Sequence, residues 1–361
     1  MMDNITYEIL SGDMVVAKSC SGILTVTDEK LLPLYLKNFP DIDSWLATRA
    51  IDSHRANSRL LKKALRMKER DDVATVLRAN GVTVTDNYWV REAGSALTYQ
   101  DVCFDEAYFR KKSSKSAARL ALTGSTRSFN YITGTNATTI AELTNTGSFE
   151  KCWKNINGMW WLYKVANRHE AFSEVFIYNL CRMIGISCAA YELVDNKVVR
   201  TLDFADGNYN FEPAFAFMGD DEDYSDTVDK LNALCPFAVP DYIKMIFLDA
   251  LVFNPDRHTA NFGLLRDKTN GEYIGLAPCF DHNMALISKG YPQGKTKRDL
   301  LIELFCDIIN ENPEFGNYIP AITQETLEEA YEKTGIKENS SAIFRYILER
   351  YEIIRSGICF R

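Results

Sequence analysis

Residues 254–262 combine a carboxylate and an amide at a fixed spacing. The sequence of this segment, NPDRHTANF, places Asp256 five residues before Asn261. In phosphoryl transfer a carboxylate orients the attacking hydroxyl and accepts its proton, and oxygen ligands hold magnesium. We therefore predict that Asp256 is a catalytic base and that Asn261 binds a metal ion. An ordinary Asp/Asn turn is the alternative interpretation.

A second carboxylate, Asp281, ends the run LAPCFD. Residues 262–265 and 273–276 alternate like two strands around a TNG turn. A hairpin of these strands would bring Asn261 and Asp281 to the same end of the pair. We predict that Asp281 is the second metal ligand, unless the turn at residues 281–282 is unrelated to the loop.

A lysine on a strand and a glutamate on the following helix can bind and position nucleotide phosphates. Residues 160–164 form an apolar strand that ends in Lys164, and Glu174 follows ten residues later on a predicted helix. We predict an ion pair between Lys164 and Glu174. Glu170, one turn earlier on the same helix face, is the alternative partner, and a surface position for Lys164 is the other alternative.

A glycine turn precedes that strand. Residues 144–151 read TNTGSFEK, and the backbone N–H groups of such a turn can cradle phosphates. The segment has one glycine and lacks the G-x-G-x-x-G pattern. A competing glycine turn lies at residues 123–126, where the strand context is less clear.

Together these motifs resemble the C-terminal domain of HipA-like serine/threonine kinases. The run D-R-H-x-x-N-F-G, followed by L-A-P-x-aromatic-D, carries the resemblance, and D-R-H-x-x-N is also similar to the loop of phosphatidylinositol kinases. The resemblance implies that Asp256 is the base and that Asn261 and Asp281 hold magnesium. Arg257 and His258 match the loop as well, and we expect His258 to brace the loop rather than transfer protons.

The resemblance extends to the nucleotide side. The helix carries Ser173-Glu174 and ends Ile184-Gly185-Ile186, similar to the "SE" and "LGI" of HipA-like sequences. The glycine turn is placed like the phosphate-covering loop of that family. This placement implies nucleotide contacts from Gly147, Ser148 and Lys151, and it implies inhibitory autophosphorylation on Thr144, Thr146 or Ser148.

The order of the predicted elements is that of a bilobal kinase. We predict an α+β protein-kinase-like fold with a strand-rich N-lobe, a helical C-lobe and an additional N-terminal α/β module. The module takes residues 1–115, the N-lobe residues 116–205 and the C-lobe residues 206–361. The polar, basic residues 111–116 mark the first boundary.

Local patterns give the individual elements. We predict short strands joined by turns over residues 118–163, and a solvated loop over residues 220–229. Other strands are predicted over residues 5–16, 22–26, 88–90, 189–193 and 197–202. Helices are predicted over residues 54–68 (with Ser53 as N-cap), 71–79, 168–185, 242–253, 299–310, 326–334 and 341–356.

Composition narrows the function classes. A net charge of -8 over 361 residues argues against direct binding to nucleic acid. Nine cysteines without C-x-x-C spacing indicate reduced thiols and a cytoplasmic location, and the four histidines lack a zinc pattern. The N-terminus lacks the pattern of a signal peptide, and the longest apolar run is interrupted by Asp249, so we expect no membrane span.

These features predict a HipA-like serine/threonine kinase that uses ATP and Mg²⁺ and also phosphorylates itself. The partners would be a protein substrate and an antitoxin-like or regulatory protein. The first 110 residues differ from a typical HipA N-terminal subdomain, so toxin pairing is not carried over. A small-molecule or lipid kinase on the same scaffold, or a non-catalytic nucleotide-binding regulator, are the alternatives.

Overall fold

The computed structural model describes residues 5–67, 71–135, 140–205 and 207–358, which form a mixed α/β structure with antiparallel sheets. The chain divides into two compact units. The first unit comprises Met1–Val165, Ala205–Glu212 and Leu265–Glu272, and the second comprises Ala166–Phe204, Pro213–Leu264 and Tyr273–Arg361. The predicted division into three segments stays a prediction.

An antiparallel sheet of four strands in the order β3-β2-β1-β4 organises the first unit. Its strands are β1 (Thr6–Ser11), β2 (Met14–Cys20), β3 (Ile23–Val26) and β4 (Tyr88–Glu92). The single strand predicted over residues 5–16 is wrong, because Gly12 takes a positive φ of 56° and turns the chain into the β1–β2 hairpin. The strand predicted at residues 88–90 is confirmed within β4.

The first unit also contains short helices, some of which pack against this sheet. The helices of the first unit are α1 (Leu34–Asn38), α2 (Ile42–Thr48), α3 (Ala56–Ala64), α4 (Asp72–Leu77), α5 (Tyr99–Val102), α6 (Glu106–Arg110), α7 (Lys112–Thr123) and α8 (Thr126–Thr133). Trp45 and Leu46 of α2 are buried with Ile9 and Val90 of the sheet in one apolar core. Helix α3 is shorter than predicted, and Arg55 rather than Ser53 occupies its N-cap position.

The strands predicted over residues 118–163 are wrong for the first part of that range. Helices α7 and α8 occupy it instead, followed by a 3₁₀ helix (Ala141–Thr144) and only then by β5 (Lys151–Ile156) and β6 (Met159–Val165). Gly124 ends α7 with a left-handed φ of 64°, and the Ser125 side chain caps α8. Gly124 and Ser125, which were predicted in a turn, are therefore helix caps, and the proposed boundary at residues 111–116 lies at the start of α7.

The second unit is mainly helical. Its helices are α9 (Arg168–Ile184), α10 (Phe215–Met218), α11 (Tyr224–Leu234), α12 (Val239–Val252), α13 (Leu300–Glu311), α14 (Gln324–Glu332) and α15 (Ser340–Gly357), with 3₁₀ helices Pro236–Ala238 and Pro313–Tyr318. The five long helices predicted here are confirmed. Helix α9 begins with a capping box of Asn167 and Glu170 and ends at Gly185, whose φ is 71°.

Four of the five remaining strands form hairpins. Strands β7 (Tyr191–Asp195) and β8 (Val198–Leu202) pair antiparallel, as predicted. Strands β9 (Tyr209–Pro213) and β10 (Gly263–Asp267) contribute residues to both units, and β11 (Tyr273–Leu276) belongs to the second. The hairpin predicted for β10 and β11 is confirmed by the Ala277 N–H, which donates to the Gly263 carbonyl at 2.8 Å.

The acidic residues 220–229 do not form only a loop, and that prediction is wrong from Tyr224 onward. The Asp223 carboxylate accepts hydrogen bonds from the N–H groups of Ser225 and Asp226 and so caps α11. Carboxylates are favourable at a helix N-terminus because of the helix dipole. The acidic stretch is therefore a helix start, and α11 buries Val228 and Leu231.

A buried polar cluster joins distant segments of the first unit. The Arg266 guanidinium lies 2.8 Å from a Glu212 carboxylate oxygen, which also accepts a hydrogen bond from the Tyr88 hydroxyl at 2.8 Å. Arg266 donates to the carbonyl of Leu32 at 2.9 Å and to that of Lys30. This cluster connects the returning residues 205–212 and 265–272 to the N-terminal part of the unit.

No helix in the described part of the chain combines the length and the apolar character that crossing a membrane would require.

Candidate active site

The loop that follows α12 holds the predicted base and the first predicted metal ligand. Asp256 is partly exposed and Asn261 is buried. The Asn261 side-chain nitrogen donates to the Asp256 carbonyl at 2.9 Å, and its main-chain N–H donates to the His258 carbonyl at 2.8 Å. Asn261 thus connects the two ends of the loop, and its side-chain nitrogen is used in a hydrogen bond within the loop. The amide oxygen is the atom that this side chain can offer to a cation.

Arg257 connects this loop to the segment that carries Asp281. Its Nη1 donates to the carbonyl of Asn261 at 2.5 Å and to the carbonyl of Phe280 at 2.8 Å. One nitrogen atom therefore binds the main chain of one predicted metal ligand and of the residue before the other. The hairpin predicts that Asn261 and Asp281 lie close together. The main chain of Asn261 and that of Phe280, next to Asp281, are indeed bound by the same nitrogen atom.

Asp249 of α12 fixes Arg257 in place. Its two carboxylate oxygens accept from Nε at 2.8 Å and from Nη2 at 3.0 Å, and the Asn254 side chain donates to the same carboxylate at 2.7 Å. Burial alone would favour the neutral guanidinium, but the Asp249 charge raises the pKa of Arg257 above its ordinary value. Arg257 therefore stays charged, and its bidentate contact with Asp249 orients the loop.

The main chain at Asp281 is held in an uncommon conformation. Asp281 has a positive φ of 60°, and its N–H donates to the Tyr191 hydroxyl at 3.0 Å. Two residues earlier, the Cys279 N–H donates to the Ser187 carbonyl at 2.9 Å. Burial, followed by the charges of Glu174 and Asp281, raises the pKa of Tyr191 well above its ordinary value. The phenol therefore stays protonated and serves as a neutral anchor for Asp281.

Glu174 is fully buried on α9, with 0% of its surface exposed. Its Oε2 accepts a hydrogen bond from the N–H of His282, the residue after Asp281, at 2.9 Å. The alternative, Glu170, accepts from the Asn167 N–H at 2.8 Å and so caps its own helix. Lys164 belongs to the first unit and Glu174 to the second, and their ion pair stays a prediction.

His258 is exposed, and its role in the structure is local. Its ring Nδ1 accepts a hydrogen bond from the Ala260 N–H at 3.2 Å, two residues along the loop. Such a contact shapes a turn. This position supports the expectation that His258 braces the loop.

In the first unit, the predicted phosphate-binding lysines share one hairpin. Strands β5 and β6 pair antiparallel, and Lys151 lies directly opposite Lys164. Lys164 is only 5% exposed, and its Nζ lies 4.7 Å from the centroid of the Phe149 ring. Side chains directly opposite each other in a hairpin lie on the same face, so this face carries two neighbouring positive charges.

The glycine turn before β5 is held by a residue that sequence reasoning missed. Arg55 is 2% exposed and donates to the carbonyls of Gly147 at 2.6 Å, Thr146 at 2.7 Å and Asn145. Thr146, Gly147 and Ser148 are themselves exposed. The only sequence signal for Arg55 was its place in a basic segment, which a solvated helix face explains equally well.

The three predicted autophosphorylation sites differ in their surroundings. Thr144 is buried, and its hydroxyl donates to the Val82 carbonyl at 2.6 Å. Thr146 and Ser148 are exposed on the turn. The competing glycine turn at residues 123–126 connects α7 to α8, where Gly124 and Ser125 act as helix caps.

Asn261 and Asp281 would supply oxygen ligands, which suit magnesium. Magnesium usually takes one or two protein carboxylates and completes its shell with substrate phosphates and water. Among the described residues, no group of three or more His, Cys, Asp or Glu side chains could hold a metal ion. The pair of Asn261 and Asp281 has only one carboxylate and one amide, so it differs from such a group. These two oxygen donors fit Mg²⁺ that also binds the phosphates of a nucleotide.

Comparison with known proteins decides the family. The family model for the HipA-like C-terminal domain matches residues 132–343, more than half of the chain. The chain belongs to this HipA-like family. The predicted resemblance to the HipA-like C-terminal domain is thereby confirmed.

Two solved structures align with this chain. A chain of the Shewanella oneidensis MR-1 toxin–antitoxin complex of HipA, HipB and operator DNA aligns with a TM-score of 0.55 and 13% identity, over 97% of this HipA-like chain and 99% of that chain. The Helicobacter pylori proinflammatory kinase CtkA aligns with a TM-score of 0.43 and 18% identity, over 57% of this chain and 92% of that chain. A search of curated proteins gives no match.

Proposed function

We propose that this HipA-like chain is a serine/threonine protein kinase that transfers the γ-phosphate of ATP to a protein hydroxyl in the presence of Mg²⁺. The observation that carries the proposal is the Nη1 atom of Arg257, which binds the carbonyls of Asn261 and Phe280 at once. A kinase needs its loop amide and its later aspartate near the same metal. A buried arginine that joins their two main-chain segments serves that requirement.

Asp256 is the proposed catalytic base. It orients the acceptor hydroxyl and takes its proton while the hydroxyl oxygen bonds to the γ-phosphorus and the bond from phosphorus to the ADP oxygen breaks. Asn261 and Asp281 would hold Mg²⁺, which neutralises charge on the phosphates when it is bound. Arg257 and Asp249 act on the reaction only by fixing the loop.

The proposed nucleotide groups are Lys151 and Lys164 of the β5–β6 hairpin and the turn that precedes it. Lys164 and Lys151 lie opposite each other and would bind phosphate oxygens. The exposed turn at Gly147 and Ser148 would cover the phosphates, with Glu174 as the proposed partner that positions Lys164. Two adjacent cations on one face of a hairpin are stabilised when a polyanion binds to them.

We further propose the bilobal division with an N-terminal module, a cytoplasmic location and an antitoxin-like or regulatory protein partner. The solved HipA of Shewanella oneidensis forms a complex with HipB and operator DNA, which supports a regulatory partner here by analogy alone. Autophosphorylation is proposed for Thr146 or Ser148, because both hydroxyls are exposed whereas that of Thr144 is buried.

The test is incubation of the full chain with γ-labelled ATP and Mg²⁺, alone and with a cell lysate, followed by phosphosite mass spectrometry. We expect labelled protein from the wild type and none from Asp256→Asn. The Asp256→Asn variant should still be stabilised by ATP and Mg²⁺ in a thermal-shift assay. Label found only in lipids or metabolites would favour a kinase with a small acceptor. Stabilisation by ATP without any labelling would favour a nucleotide-binding regulator.

A further inference from the structure

The turn before β5 directs three consecutive carbonyls, those of residues 145–147, toward one side chain. Arg55, at the N-cap position of α3, donates to the carbonyl oxygens of Asn145, Thr146 and Gly147. Three successive peptide groups therefore present their oxygens to one guanidinium. The planar fork of arginine can serve several acceptors in this way, whereas a lysine ammonium is a single point charge.

The geometry of the peptide bond fixes where the corresponding N–H groups lie. In a trans peptide the carbonyl of one residue and the N–H of the next point in opposite directions. When the carbonyls of residues 145–147 face Arg55, the N–H groups of Thr146, Gly147 and Ser148 face the other side. Successive N–H groups that share one side form a nest that binds anions.

Two further features suit this nest to phosphate. Gly147 has a φ of 89°, a conformation that favours glycine, and the Lys151 ammonium lies so close that a Cβ at Gly147 would collide with it. The residues of the nest are exposed, whereas the guanidinium behind them is buried. The N–H groups of the nest therefore face the solvent beside the Lys151 ammonium, whereas the Arg55 guanidinium that holds the turn is buried.

Arg55 is itself held by its surroundings. Burial lowers its pKa, and the carboxylates of Glu142 and Glu150 oppose that effect. Glu150, three residues beyond Gly147, accepts a hydrogen bond from the Asn57 N–H in the first turn of α3 at 3.1 Å. The start of α3 thus contacts this segment through Arg55 and through Asn57. These contacts fix the position of the turn relative to α3.

We propose that Arg55 is a positioning residue, which holds the turn at residues 145–147 so that its N–H groups bind the phosphates of the nucleotide. The inference rests on the proposed kinase function and adds a role for the N-terminal segment that the catalytic motifs do not contain. Arg55 does not touch the nucleotide. Its loss would release the carbonyls, and the N–H groups would lose their common orientation.

The test compares Arg55→Met with Arg49→Met in the full chain. Arg49 is also buried in the first unit, where it pairs with Asp86 at 2.7 Å and donates to the Gly81 carbonyl at 2.8 Å. Both variants lose a buried arginine, so both should unfold at lower temperature. We expect the KM for ATP to rise about tenfold or more in Arg55→Met only, with kcat changed far less and with Arg55→Lys in between.

A second pair of variants covers the case in which Arg55→Met does not fold. Gly147→Ala alters the nest directly, and Gly158→Ala is its control, because Gly158 also has a positive φ, of 85°, but no atom within 4 Å of an added Cβ. We expect a raised KM for ATP in Gly147→Ala alone.

Two outcomes separate this proposal from the function on which it rests. Equal KM values for ATP within both pairs of variants, in a chain whose wild type labels protein, would overturn the role of Arg55 and leave the kinase function standing. A wild type that neither binds nor hydrolyses ATP would overturn both proposals.

Discussion

Lys151 and Lys164 lie directly opposite each other on strands β5 and β6, so two ammonium groups share one face of the hairpin. Like charges in opposed positions destabilise a strand pair. A bound polyanion turns that repulsion into an attraction. We therefore expect the proposed nucleotide to stabilise the hairpin.

Lys164→Met should abolish the thermal stabilisation that ATP and Mg²⁺ give to the wild type, because the variant lacks one of the two cations proposed to bind the phosphates. The control is Lys154→Met, because Lys154 is three residues from Lys151 and faces the other side of the strand, over the Tyr163 ring. Equal ATP stabilisation in both variants would contradict the phosphate role of Lys164.

His258→Ala and Asp256→Asn should have very different effects on phosphorylation. Loss of a general base lowers kcat by about 10²–10⁴-fold, which we expect for Asp256→Asn. The His258 side chain is exposed, and its ring Nδ1 accepts a hydrogen bond from the Ala260 N–H, so its removal should leave kcat within about threefold of the wild type. Initial rates of autophosphorylation measure both effects. A large loss of activity in His258→Ala, with unchanged thermal stability, would assign it a chemical role.

Breaking the pair of Arg257 and Asp249 should destabilise the second unit strongly. Removing one partner of a buried ion pair leaves an uncompensated charge and typically costs about 3–5 kcal/mol. We expect this loss in Asp249→Asn and in Arg257→Met, measured by denaturant unfolding. The double variant should lose much less than the sum of the two, because no charge is left unpaired. Additive losses would mean that the two side chains contribute independently.

The stability of the first unit should fall as the pH rises between about 4.5 and 7, because of Glu142. Burial raises the pKa of Glu142 from its ordinary 4.5 to about 7, although hydrogen bonds from Asn145 and the Trp153 N–H oppose the shift. The folded state then holds a proton that the unfolded state has lost. Its stabilising effect is complete below pH 4.5 and is lost as the pH passes 7.

Glu142→Gln tests this directly. The difference in unfolding free energy between wild type and variant should decrease by roughly 3 kcal/mol from pH 4.5 to pH 7 and stay constant above. Glu106→Gln is the control, since Glu106 lies on the surface and pairs with Arg110. A difference that does not change with pH would show that Glu142 titrates normally in the folded chain.

Local sequence patterns predicted much of the second unit. Long helices such as α12 and α15 were predicted to within a few residues, because their apolar residues recur over several turns. The β10–β11 hairpin followed from a turn sequence between two apolar segments. The convergence of Asn261 and Asp281 followed from that hairpin alone.

What could not be predicted depends on contacts between distant residues. Asp249 was visible only as an interruption of an apolar run, and its partner Arg257 lies in the next segment. The contacts of Arg55 with residues 145–147 span about ninety positions. The strands predicted before β5 were wrong because threonine, asparagine and glycine serve at helix caps as well as in turns.

The cluster of Arg266 and Glu212 has a consequence for how the chain is made. Tyr88 and the main chain of Lys30 and Leu32 receive their partners from residues that leave the ribosome more than a hundred positions later. At Gly271 the carbonyl of Lys30 approaches so closely that any side chain would collide with it. A chain truncated after residue 165 would therefore lack the hydrogen bonds that Glu212 and Arg266 make to this part of the chain, and the first unit can finish folding only after residue 272 has been synthesised.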